Sequence, residues 1–225
     1  MPLILNIDTS TESASICLSK NGEQLLLSQN NEQKDHSSWL HVAIDEMMKA
    51  AGYKMKDLNA VAVAEGPGSY TGLRVGMATA KGLCYALQIP LITENTLKLM
   101  AFAASLQITD DASALLCPMI DARRMEVFTA LYKMDLEELM PSSAMILDEN
   151  SFAPQLQSHK IFFFGSGSDK WRQISAFHNA QFLKIACNSG HLGILSCKKF
   201  SQHQFTDIVY SQPAYIKEFH SYNRK

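Results

Sequence analysis

Residues 65–83, EGPGSYTGLRVGMATAKGL, place five glycines and a proline where the flanking sequence asks for a strand running into a helix. Each glycine inside a helix costs about 1 kcal/mol relative to alanine, so something local must offset it. Either a backbone comes very close here, or an anion sits on the helix's first amides. The loop Gly66-Pro67-Gly68-Ser69 suits the second arrangement, with Ser69 or Thr71 as the cap. It is not a Walker A loop, since it has neither a G-K-[ST] ending nor any lysine. Gly72, Gly76 and Ala80 then recur every four residues, a small face suited to close packing. Arg74 and Lys81 fall on other faces and read as solvated.

Around this segment the chain reads as α/β. Leu3 to Ile7 is nearly all apolar, as in a strand buried on both faces. Ser13 to Ser19 partly alternates, and Asn21-Gly22 marks a tight hairpin into QLLLS. In HSSWLHVAIDEMMKAAGY, Leu40, Ala43, Ile44, Met47, Met48 and Ala51 form one apolar stripe. Asp35 or Ser37 is the expected cap of that helix and Gly52 its stop. Trp39 and Val42 widen its apolar arc. AVAVAE and PLIT are further strands, and LKLMAFAASL a short helix. A second beginning follows: ALLCPMIDARRMEVFTALY repeats the opening plan of strand, Asp, turn and strand, with Asp121 standing where Asp8 stood. Two lobes are expected, residues 1–108 and 109–225, divided near QITDDAS. KIFFFGSGSDKW reads as a strand, a Gly-x-Gly turn and a helix. Residues 176–204 carry little pattern, PAYIKEF reads as a late strand and HSYNRK as a frayed tail.

Composition narrows the function classes. With 225 residues and 47% of them hydrophobic, the chain can bury a substantial core. A net charge of −2 with mixed signs argues against a protein that grips nucleic acid by itself. Five cysteines without a C-x-x-C pair point to a reducing compartment rather than to disulfides or a zinc ribbon. MPLILNIDTS has no basic n-region or cleavage site, and no apolar run reaches the ~18 residues of a membrane span. A cytoplasmic protein is expected.

Asp8-Thr9-Ser10 after the first strand has the composition of a phosphate-gripping hairpin, and equally of an ordinary turn. His36 and His41 are five apart, whereas helical metal pairs stand at i and i+4; no metal is expected. No G-x-S-x-G elbow is present, so Ser-His-Asp catalysis has no support.

In order, ILNIDTST, DHSSWL, GPGSYTGLRVG, AKGL, IDARRMEVF, FFGSGS and PAYIKEF resemble the TsaB family, the small subunit of the bacterial machinery that makes N6-threonylcarbamoyladenosine in tRNA. The resemblance implies the two-lobed actin-like fold shared with sugar kinases and heat-shock chaperone ATPases (ribonuclease H-like), with the second lobe reduced. It implies a non-catalytic partner of the larger TsaD subunit, joined by the ATPase TsaE, able to form homodimers and meeting tRNA only through the complex. Pairing would use the first lobe's two helices, through Trp39, Leu40, Ile44, Met47, Gly72, Leu73, Gly76, Met77 and Ala80. ATP or ADP is the nucleotide of that complex, with Asp8, Thr9, Ser10, Gly66, Gly68 and Ser69 as vestigial phosphate-loop positions. The catalytic relative carries H-x-x-x-H on the first-lobe helix, where this chain has Leu40. Ala122 and Arg123 follow Asp121 where kinases of this fold place a glycine-rich phosphate hairpin, and the Arg123 side chain would crowd a phosphate. A small ATP-dependent phosphotransferase is the alternative. A metallopeptidase, suggested by the glycoprotease label of relatives, fails on the missing metal pair.

Overall fold

The structure is a computed structural model and describes residues 1–31, 36–109 and 111–216, with the side chains of His36 and Ser37 left aside. Two five-stranded sheets carry it. The first holds β1 (Leu3–Asp8), β2 (Ala14–Lys20), β3 (Glu23–Asn30), β4 (Ala60–Gly66) and β5 (Leu91–Asn95), in the order β3-β2-β1-β4-β5. The second holds β6 (Leu115–Asp121), β7 (Glu126–Lys133), β8 (Glu138–Ile146), β9 (Ile161–Phe164) and β10 (Ala180–Phe182), in the order β10-β9-β6-β7-β8. Each sheet is an antiparallel three-strand meander whose first strand pairs in parallel with the fourth. Strand for strand the two plans are the same, so the repeated opening read in the sequence extends through whole sheets.

Alternation explains why β1 is apolar throughout. Leu3, Leu5 and Ile7 face a core shared with α1 (His36–Ala50) and α2 (Tyr70–Leu87), while Ile4 faces the other side of the sheet. On that other side lie α3 (Thr96–Ser105) and α6 (Ser189–Ser201). There β4 presents Ala60, Ala62 and Ala64, small residues that let the helices approach. Asn6 also points that way and is fully buried. Its amide donates to the carbonyls of Ile4 and Cys17 and to Ser19 Oγ, and its oxygen accepts from Ser196 Oγ at 2.6 Å. The buried amide is thereby bonded through both its nitrogen and its oxygen, which is the condition for keeping one in a core.

The second sheet packs α3 on one face, through Leu97, Met100, Ala101 and Ala104. On the other it packs α4 (Ala153–Ser158) and α5 (Ser168–Arg172) around Phe152, Phe163 and Trp171. Thus α3 touches both sheets, and α6, late in the chain, packs on the first.

Several local expectations change. α1 starts at His36, so Ser37 lies inside the helix rather than capping it, and Asp35 is outside the described residues. Within PAYIKEF, residues 213–216 are irregular rather than a strand, and the remainder, with HSYNRK, lies outside the described residues. This segment straps across α2: the Ala214 amide donates to the Glu65 carbonyl at 2.7 Å. Arg74 and Lys81 are not merely solvated, because the strap answers both. Arg74 stacks on Tyr70 and donates to Tyr215 Oη at 3.0 Å, and Lys81 donates to the Ser211 carbonyl at 2.8 Å.

The small face of α2 has its partner inside the chain. A Cβ at Gly72 would overlap the Thr9 carbonyl, and one at Gly76 would overlap Thr9 Oγ1. Thr9 Oγ1 in turn donates to the Gly72 carbonyl at 2.7 Å. The glycines let α2 press on the turn after β1. Leu40, Ile44, Met47, Leu73, Met77 and Ala80 are likewise buried in this chain's own core. Of the nine residues expected at a subunit interface, only Trp39 keeps appreciable exposure.

Candidate functional site

The two hairpins that open the sheets end at one cleft of about 690 Å³. One side is the turn after β1, with the first turn of α2 beside it; the other is the β6–β7 turn, with the Gly165-Ser166 turn after β9. Asp8, Ser10, Gly68 and Ser69 line it, as their sequence context suggests. Thr9 and Gly66 do not: Thr9 is turned onto α2, and Gly66, at φ +116°, packs beneath the Ala214 carbonyl. Deeper in, the wall is apolar, formed by Met100, Ile120, Phe128 and Ile185.

Two amides at the α2 terminus are answered from within. Ser69 caps it, accepting from the Gly72 amide, and the Ser69 amide donates to the Ser10 carbonyl at 2.7 Å. A Cβ at Gly68 would strike that same carbonyl. The glycine loop thus brings the β1 turn onto the helix, while Tyr70 and Thr71 of the first helical turn remain on the wall of the cleft.

Asp8 is 4% exposed, and burial pushes its carboxyl up from the usual 3.8; the Ser10 hydroxyl and amide, both donating to Oδ1, pull the other way. A carboxyl whose folded pKa is raised weakens the fold increasingly as the pH rises above its unfolded value, fully beyond the folded one, and has no such effect below the unfolded value. Asp8→Asn keeps an acceptor for Ser10, so it is expected to raise the urea midpoint at pH 7. The gain should vanish below the ordinary 3.8. A variant less stable than the parent at pH 7 would contradict this.

Asp121 is the counterpart in the second hairpin, and its surroundings differ. Lys170, from α5, places Nζ 3.0 Å from Asp121 Oδ2 and donates to the carbonyls of Arg124 at 2.6 Å and Glu126 at 3.1 Å. Partial burial works to raise the Asp121 carboxyl, but the Arg123 amide and Lys170 outweigh it and hold it below its ordinary range. Sequence reasoning missed Lys170, because nothing in the run GSGSDKW distinguishes it from a solvated helix lysine. The turn itself is unusual: Arg123 and Arg124 have φ of +71° and +46°. Left-handed backbone costs roughly 1–2 kcal/mol per ordinary residue.

Two like-built sheets whose opening hairpins meet at one cleft define an α/β protein of two mixed five-stranded sheets. A family model described as TsaD: tRNA N6-adenosine threonylcarbamoyltransferase matches residues 27–179. The chain is 30% identical to the tRNA threonylcarbamoyladenosine biosynthesis protein TsaB of Bacillus subtilis, covering 76% of this chain and 74% of that protein. It is 26% identical to TsaB of Escherichia coli over 95% of this chain and 94% of that one. The solved structure of YeaZ from Pseudomonas aeruginosa superposes with a TM-score of 0.79 at 23% identity, covering 96% of this chain and all of the other. The chain belongs to the TsaB family. Among the described residues no helix is long and apolar enough to cross a membrane.

Proposed function

We propose that this chain serves the formation of N6-threonylcarbamoyladenosine in tRNA as a non-catalytic subunit, pairing with and activating a TsaD-type threonylcarbamoyltransferase in the cytoplasm. Family membership supports the pathway. The non-catalytic part is supported by Asp121, whose two carboxylate oxygens are already taken by Lys170 and by the Arg123 amide.

The docking face is the outer side of α1 and α2 rather than their buried stripe. Val42 is 57% exposed and Trp39 half-buried. Between the two helices runs a shallow apolar groove of about 490 Å³, bordered by His41, Ile44, Met55, Val75, Ala78 and Leu83. A homodimer would use the same face, in competition with the catalytic subunit. A TsaE-type ATPase joins the assembled pair, which is where ATP or ADP enters.

The test is reconstituted threonylcarbamoylation of tRNA with the catalytic subunit, its ATPase partner and the activated threonylcarbamoyl donor, with and without this chain. Product is expected only with the chain present. Equal product without it would sink the helper role. ATP turnover by the chain alone would favour the small-phosphotransferase reading that the cleft and Asp8 leave open.

A further inference from the structure

The β6–β7 turn is built at some expense and presents something. The chain's tight hairpin between β2 and β3 uses Asn21-Gly22 at φ +55° and +84°, the residue types that tolerate left-handed backbone. The corresponding positions at the cleft are two arginines. Their backbone is held by several bonds: Ala122 N donates to the Glu126 carbonyl across the base, Glu126 N donates to the Arg123 carbonyl, Arg123 N donates to Asp121 Oδ1, and Ser166 Oγ accepts from Asp121 N. Lys170 adds its contacts to the carbonyls of Arg124 and Glu126 and neutralises Asp121. The side chains of Arg123 and Arg124 are exposed and have no hydrogen-bond or ion-pair partner among the described residues. Strain maintained by surrounding bonds is a pointer to use, and two adjacent unpaired guanidinium groups are built to grip phosphate oxygens.

We infer that Arg123 and Arg124 contact the phosphodiester backbone of the RNA substrate within the assembled complex; the inference rests on the helper-subunit reading above. A polynucleotide fits better than a free nucleotide. Arg123 borders the cleft but Arg124 does not. The pair therefore suits an extended anion lying across the mouth rather than one seated inside. Two phosphate contacts are also compatible with a chain of net charge −2, because the catalytic partner supplies the rest of the binding surface.

The test is the double variant Arg123→Asn, Arg124→Gly, which relieves the backbone while removing both cations. Wild type and variant are each assembled with the TsaD-type subunit, pairing is measured by analytical ultracentrifugation, and tRNA is titrated across a salt series. Expected are normal pairing, a melting temperature equal to or above the parent's, tRNA affinity about tenfold lower at low salt, and a slope of log K against log[salt] shallower by about 1.5. The Arg123→Lys, Arg124→Lys variant should recover most of that slope. Unchanged affinity and slope in a paired complex would overturn the inference and leave the helper role standing, as would loss of ADP binding in place of tRNA binding. A wild-type chain that does not pair with the catalytic subunit would overturn both.

Discussion

Gly72→Ala should destabilise the protein by about 3 kcal/mol or more, although the same change in an ordinary helix stabilises by about 1 kcal/mol. The sign reverses because the new methyl meets a backbone carbonyl, that of Thr9, and carbonyls of a strand end cannot rotate aside. Gly76→Leu should fare worse. Its side chain would have to displace Thr9 Oγ1, which is bonded to the Gly72 carbonyl, with Val63 already at 3.5 Å behind it. For a chain of this size 3 kcal/mol lowers the melting temperature by roughly 6–12 °C, readily seen in thermal or urea unfolding. The contrast with a docking role is sharp: a glycine face reserved for a partner would let Gly76→Leu fold normally and fail only in pairing. A Gly76→Leu monomer with the parent's stability would return the face to that role.

The second large effect concerns Lys199 on α6. Its Nζ lies 3.0 Å from Glu94 Oε2 and donates to the Thr93 carbonyl at 2.7 Å, and Glu94 is 3% exposed. Removing one partner of a buried pair leaves the other charge without compensation, which typically costs about 3–5 kcal/mol. Lys199 retains some solvent, so Lys199→Met is expected near the lower end, about 3 kcal/mol. Adding Glu94→Leu should recover most of that loss, because the uncompensated carboxylate is then gone. If Lys199→Met unfolds at the parent's urea concentration, the pair contributes nothing to stability and the bond is incidental.

The first sheet was legible because its strands are hydrophobic on both faces or alternate, and its turns use Asn21-Gly22 and Gly52 in the ordinary way. The repeat was legible from Asp8 and Asp121. β8 escaped because it is an edge strand: Leu139 and Ile146 are exposed, Pro141 interrupts it, and no clean alternation results. α6 escaped for a different reason. Its inward face is Leu192, Gly193, Leu195 and Ser196, and its anchoring is as much polar as apolar, which leaves a weak periodic signal. At the site, the sequence singles out Asp8, Ser10, Gly68, Ser69 and Asp121, but not the apolar wall of Met100, Ile120, Phe128 and Ile185. The α2 glycine spacing indicates close packing, and the structure supplies the turn after β1 as a neighbour, because spacing along one helix says nothing about which surface it meets. Lys170 and the conformation of the Arg123-Arg124 turn depend on contacts between distant parts of the chain.

The bonds joining Asn6 to Ser196 couple the sixth residue to a point 190 positions later. During synthesis β1 is among the first segments to leave the ribosome, yet its central amide lacks that bond until nearly the whole chain has emerged. The half that is made first is therefore finished last. A nascent chain halted before α6 would have that side of the sheet covered by α3 alone, without Leu192 and Leu195 of the same core, an apolar surface that the last helix closes.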